Sequence, residues 1–242
     1  MLTDTTILNM PASETAVRFE SSGATPVELE GRLSAFDDEG VRAAAVLCHP
    51  GIEGQTGMEY PVIAASTIAL QQAGLVTLRF NFRGVQSSAG RRSSGVHEVD
   101  DVLGAVRLLR ECSAVDADRV CLVGDSFGAW MALEAARVDH RIAGWACVVL
   151  PLLLLPAVPD WLQHDSRPKL FIVAEHDQFC DLGAFKSLYQ GWAEPKELLE
   201  LAGTDHFLGI GSSLDRLDRS EQIAGAVAAW AKHVLAARHG QD

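Results

Sequence analysis

Three side chains in this sequence have the types and the order needed for covalent acyl transfer: Ser126, Asp177 and His206. A serine hydroxyl is a weak nucleophile until a base takes its proton. The base works best when an acid fixes its orientation and stabilises its charged form. Ser126 lies in Gly124-Asp125-Ser126-Phe127-Gly128, a G-x-S-x-G. Alone the pentapeptide says little, because glycine and serine populate many ordinary turns. Its setting sharpens it: the apolar run 120–123 precedes it and Trp130-Met131-Ala132-Leu133 follows. A strand–turn–helix of this kind lifts the serine off the end of a sheet with its Oγ exposed. A side chain at Gly124 or Gly128 would crowd the strand against the helix it feeds.

The partners should follow in the order acid, then histidine. The apolar strand Lys169–Ala174 runs into Glu175-His176-Asp177, and a strand at 197–201 runs into Ala202-Gly203-Thr204-Asp205-His206. Both candidates therefore sit past the carboxyl ends of strands, where open α/β sheets hold their ligands. Glu175, Asp181 and Asp205 compete with Asp177 for the acid. Asp177 is preferred because it lies beyond the strand but before the helix at 182–190, for which Asp181 reads as the N-cap. The chain has eight histidines. His140, His233 and His239 read as surface residues, and His176 is too close in sequence to Asp177 to pair with it. His206 alone follows the last strand before the final helix.

Acyl transfer also needs two backbone N–H groups aimed at the developing oxyanion. One is expected from Phe127, the residue after the nucleophile. The other is expected from the loop after the strand at 43–48, His49-Pro50-Gly51-Ile52-Glu53-Gly54, with Gly51 or Ile52 as donor. His49 reads as an anchor of that loop rather than a catalytic group.

Over residues 27–234 the chain resembles the α/β-hydrolase superfamily. Within it the chain is similar to small bacterial hydrolases related to dienelactone hydrolases and acyl-aminoacyl peptidases. The resemblance rests on three motifs: His49-Pro50-Gly51, Arg79-Phe80-Asn81-Phe82-Arg83-Gly84, and the elbow at Ser126. Relatives often continue the first as His-Pro-His-Pro and follow the second with a further glycine, where this chain has Gly84-Val85-Gln86-Ser87. Dienelactone hydrolases carry cysteine at the elbow, and Ser126 argues against their chemistry. The resemblance implies a serine hydrolase of carboxylesterase type acting on small to medium esters. A thioesterase, a peptidase and a catalytically silent binding protein are the alternatives.

The elements fit that fold. Strands are expected at 16–20 and 27–36 as an antiparallel pair, then at 43–48, 75–80, 120–123, 142–150, 169–174 and 197–201. Helices are expected at 61–72, 97–111, after the elbow, at 182–190 and at 222–237. Strands alternating with helices predict a mostly parallel eight-stranded sheet covered on both faces. The whole of 1–242 reads as one domain, with 1–14 a poorly ordered start. Only residues 151–168 separate the sixth strand from the seventh, too few for a helical lid. Within them the apolar run 152–158 either walls an acyl pocket, with Leu153 and Leu154 as contacts, or packs on the core.

Composition narrows the class further. At 242 residues and 48% hydrophobic, the chain can bury a substantial core unaided. A net charge of −12 disfavours nucleic acids and anionic membranes as partners. The local run Arg79, Arg83, Arg91, Arg92 could recognise an acidic substrate, although structural ion pairs are the better reading of it. Five cysteines without metal spacing read as reduced thiols. With no leader visible at Met1-Leu2-Thr3-Asp4, the expected location is cytoplasmic. The expected partners are an ester and water, with no cofactor or metal.

Overall fold

Apolar strands flanked by polar loops decide the architecture. In the computed structural model, which describes residues 14–51, 57–209 and 213–236, eight strands form one sheet. They are β1 (Thr15–Glu20), β2 (Glu28–Ser34), β3 (Arg42–Cys48), β4 (Val76–Phe80), β5 (Val115–Asp125), β6 (Gly144–Val148), β7 (Lys169–Ala174) and β8 (Lys196–Leu201). Their order is β1-β2-β4-β3-β5-β6-β7-β8. β2 pairs antiparallel with both β1 and β4, and every other pairing is parallel.

The central strands are apolar on both faces, as a sheet covered on each side requires. Ala44, Val46 and Cys48 of β3 join the core on one face, while Ala43, Ala45 and Leu47 join the other. β5 divides the same way, with Val120 and Leu122 against Cys121 and Val123. At the sheet's far edge β8 carries Lys196, Glu197 and Glu200, charges that discourage a further strand from pairing.

Among the described residues five helices cover the sheet: α1 (Pro61–Gln72), α2 (Glu98–Glu111), α3 (Phe127–Val138), α4 (Leu182–Gly191) and α5 (Ser213–Ala236). α1 packs on α5 over one face, and α2 packs on α3 over the other. The chain therefore leaves β3 toward one face and β5 toward the opposite one. Adjacent strands departing in opposite directions open a crevice at their carboxyl ends. The elbow sits there.

The two largest boundary differences from the sequence expectation arise where polar residues hide the signal, while β2 and β6 are trimmed at their ends to Glu28–Ser34 and Gly144–Val148. β5 starts at Val115 rather than 120, because Asp116, Asp118 and Arg119 interrupt the apolar pattern before a register shift opposite Arg42 and Ala44. α5 starts at Ser213 rather than 222, through the polar stretch that precedes Ile223. The connection from β6 to β7 holds only two 3-10 turns, Leu152–Leu154 and Asp160–Gln163, and no helical lid. The expectation of a poorly ordered start falls outside the described residues except at Glu14, whose carboxylate pairs with Arg79. No helix among the described residues is long and apolar enough to cross a membrane.

Candidate active site

β5 delivers its last residue, Asp125, to a turn so tight that the backbone must pass through a rare conformation. Ser126 has φ 52° and ψ −113°, a strained geometry for a residue with a side chain. Two glycines permit it. A Cβ at Gly128 would lie 2.1 Å from the Cys48 carbonyl oxygen, and one at Gly124 would lie 2.3 Å from the Gly128 carbonyl oxygen. Ser126 N–H donates to Val148 O at 2.9 Å, tying the turn to β6. Phe127 begins α3, where an N–H has no acceptor within the helix.

The structure brings Ser126, His206 and Asp177 together from three strand ends. Ser126 Oγ lies 2.8 Å from His206 Nε2. His206 Nδ1 lies 2.9 and 2.8 Å from the two Asp177 carboxylate oxygens. Asp177 Oδ1 also accepts from Phe179 N–H at 2.7 Å, which fixes the carboxylate from behind. The Phe179 ring meets the imidazole edge-on at 4.8 Å, and Phe207 meets it at 5.6 Å. The rival carboxylates are engaged elsewhere. Glu175 accepts from Gly203 N–H, Asp205 from Phe207 and Gly209 N–H, and Asp181 caps α4 through Ala184 N–H. His49 stands apart from the trio. Its Nδ1–H donates to Pro50 O at 2.7 Å and its Nε2 accepts from Phe82 N–H at 3.2 Å. Burial pushes it down to about 4, so the ring is neutral and holds the loop.

The Arg-Phe-Asn-Phe-Arg-Gly stretch clamps the candidate oxyanion loop at both ends. Phe82 takes the start of the loop through His49. Asn81 takes the end, accepting from Met58 N–H at 2.7 Å while donating to Glu30 at 2.7 Å. Arg79 bridges Glu59 and Glu14. Arg83 forms a buried pair with Asp101, Nη2 to Oδ1 at 2.6 Å, and so fixes the following loop onto α2. Two of the four arginines are thus structural. Arg92 differs: it is exposed and donates to Gly51 O at 2.9 Å. Gly51 packs so closely on Phe127 that a Cβ there would lie 2.8 Å from the Phe127 Cβ. Ile52 lies outside the described residues. Leu153 and Leu154 are 70% and 56% exposed, so they are not core, whereas Leu152 and Leu155 pack against it. Leu153 N–H donates to Phe179 O at 3.0 Å, one residue removed from the imidazole.

Asp125 carries a feature that sequence reasoning overlooked. Its carboxyl is buried, Oδ2 has no hydrogen-bond partner among the described residues, and burial pushes it up to about 8. It is therefore uncharged at neutral pH. Strand alternation held the signal: Cys121, Val123 and Asp125 share a parity, and the first two face the core. Arg92 was named only as one of a run, and nothing in the sequence separated it from its neighbours. Among the described residues no cluster of His, Cys, Asp and Glu is placed to hold a metal.

Strand order, the single reversed strand and the lid-free β6–β7 connection make this protein an α/β-hydrolase without a lid. Residues 63–217 match the prolyl oligopeptidase family. The chain belongs to that family, and so to the hydrolases. An uncharacterised protein of Rickettsia prowazekii is 36% identical over 186 residues, 74% of this chain and 77% of the relative. An α/β serine hydrolase homologue from Coxiella burnetii is 27% identical with a TM-score of 0.69, covering 87% of this chain and 96% of that one. A lid-less α/β serine hydrolase from Xanthomonas campestris shares the fold at 23% identity and a TM-score of 0.68, covering 92% and 95%.

Proposed function

We propose that the protein is a serine carboxylesterase for small to medium esters, working through an acyl-enzyme. The observation that carries this reading is the unbroken hydrogen-bond relay that starts at a strained elbow serine and runs from Ser126 Oγ through His206 to Asp177. His206 Nε2 takes the Ser126 proton as Oγ attacks the ester carbonyl. Asp177 holds the Nδ1–H tautomer and stabilises the imidazolium. The N–H groups of Phe127 and of Gly51 or Ile52 receive the oxyanion. His206 then returns the proton to the departing alcohol, and water deacylates Ser126 with the same base. Protein groups, an ester and water supply the whole sequence of steps, so the reading calls for no cofactor. Leu153 and Leu154 serve as exposed apolar contacts for the substrate. We read residues 1–242 as one hydrolase domain of the cytoplasm, a location that suits its unpaired cysteines.

Family membership favours one second reading, a peptidase on the same three residues. Labelling with a fluorophosphonate, followed by mapping of the adduct, tests the nucleophile. Paired assays on p-nitrophenyl esters and acyl-peptide p-nitroanilides separate the two activities. An adduct on a serine other than Ser126 would sink both readings, and turnover of the anilides alone would replace the first by the second.

A further inference from the structure

A cavity of about 320 Å³ opens beside the elbow, lined by Gly51, Arg92, Ser94, Glu98, Phe127 and Trp130. Two of those residues, Gly51 and Phe127, also flank the expected oxyanion position. The volume sits at the small end of ligand pockets, about 300–1,000 Å³, which fits a short group. The Phe127 and Trp130 rings meet edge-to-face at 5.9 Å and supply an apolar wall. Arg92 supplies a cation. Among the described residues it forms no ion pair and one hydrogen bond, to Gly51 O, which engages one of its five donors.

We propose that this cavity is an acyl subsite selective for a carboxylate, so that the favoured substrate is an ester whose short acyl chain ends in an acid. The inference rests on the esterase reading above and adds the substrate class. Its direction follows from the chemistry of the site. His206 must hand a proton to the leaving oxygen, so the alcohol departs on the imidazole side, beside Phe179, Phe207 and Leu153. The oxyanion points to Phe127 and to the loop that contains Gly51. The remaining substituent of the tetrahedral carbon, the acyl chain, is turned away from His206 and toward the cavity. A carboxylate at its end meets the guanidinium there.

The carboxylate that the described residues contribute to the cavity wall, Glu98, does not compete for that place. Glu98 is 1% exposed. Its oxygens already accept from Ser93 N–H and Ser93 Oγ at 2.6 Å each and from Gly95 N–H at 2.9 Å. The chain as a whole, at −12, repels anions, so selection for one must come from a local cation.

Monoethyl glutarate and ethyl pentanoate have acyl chains of equal length and differ in the terminal carboxylate. Titrating released acid should give the wild-type enzyme a kcat/KM ratio favouring the half-ester by about tenfold or more, as a charge-assisted contact can provide. Arg92→Gln should lower both activities, because Arg92 also holds Gly51, but should bring the ratio to about one or below. Arg92→Lys should recover part of it, and salt should erode it in wild type. A ratio unchanged in a folded Arg92→Gln variant overturns the subsite. So does a preference for the cationic ester ethyl 5-aminopentanoate, which would mean that Glu98 governs the cavity. Calorimetric binding of free glutarate reads the subsite without turnover. If no ester is cleaved yet glutarate binds through Arg92, the esterase reading falls and the subsite stands. If glutarate binding is absent or indifferent to Arg92→Gln, the subsite falls.

Discussion

The two walls flanking Ser126 are built on opposite principles. On the side of the proposed oxyanion loop nearly every polar group of the β4 end is spent on tethering a neighbouring segment: Asn81 and Phe82 hold that loop, Arg79 holds Glu59 and Glu14, and Arg83 holds the following loop to α2. On the imidazole side the 3-10 turn at Leu152–Leu154 presents exposed leucines and is tied to the site through one backbone hydrogen bond, from Leu153 to Phe179. The first wall is fixed by directional bonds and the second by partial packing of Leu152 and Leu155. A hydrolase needs this asymmetry. Oxyanion donors stabilise charge only when held in place before the reaction, whereas an apolar contact tolerates variation in what it covers.

The largest effect is expected where the walls meet. Ser126→Ala should lower ester turnover by about 10³-fold or more with the fold retained, measured as kcat/KM together with a thermal melt. His206→Ala should cost nearly as much, and the double variant little more, because the two act as one unit. Asp177→Asn should also cost orders of magnitude, by favouring the wrong imidazole tautomer. Near-wild-type turnover in the Ser126 variant would remove the premise of the comparison.

The next effect separates holding a wall from stabilising the protein. Burial pushes the Asp101 carboxyl up despite Arg83, so the pair adds little net stability. Removing one partner is another matter, since it strands the other charge. Arg83→Met should cost about 3–5 kcal/mol in denaturant unfolding. Adding Asp101→Leu should recover most of that loss while turnover stays depressed, because the loop has lost its anchor. Recovery of turnover along with stability would show that the pair does not position the site.

Much of this was legible in the sequence, for reasons that differ between the walls. The elbow and the strand ends at Asp177 and His206 were readable because apolar runs and glycines are local signals, and the stretch Pro61–Gln72 reads the same way. The clamp was visible only as a motif. Its partners Glu14, Glu59 and Asp101 lie 65, 20 and 18 positions from the arginines they bind, and no local pattern pairs them. The polar start of β5 was missed because pairing with β3, rather than apolar periodicity, extends it, and that of α5 because its polar residues hide the helix. The leucines at 153 and 154 could be read as core or contact, since hydrophobicity alone does not tell which side of a turn faces water.

A smaller effect probes the floor between the walls. The folded carboxyl of Asp125 is pushed from 3.8 to about 8 by burial. A raised acid binds its proton more tightly when folded, so the stability linked to that proton is complete below the unfolded value. It is lost as pH rises toward about 8. Asp125→Asn cannot ionise. Its stability relative to wild type should therefore improve progressively from pH 4 to pH 8 and then level off, in melts recorded across that range. A difference independent of pH would mean that Asp125 titrates as an ordinary surface acid and that the floor is open to water.

The smallest effect tests the loosely held wall directly. Leu153→Ala and Leu154→Ala remove side chains that are mostly in water, so each should change unfolding free energy by no more than about 0.5 kcal/mol. Their effect should appear instead in the alcohol half of the substrate, which departs beside them. Across acetate esters of lengthening straight-chain alcohols, each methylene gains up to about 0.8 kcal/mol while apolar wall remains to cover it. Wild-type kcat/KM should rise over the shorter alcohols and then flatten, because no lid extends the wall. Either leucine variant should flatten the series earlier and by a few-fold, with no change in the preference between anionic and neutral acyl chains. An altered acyl preference with an unaltered alcohol series would exchange the two walls, placing the acyl chain against the leucines and the alcohol in the cavity of Arg92.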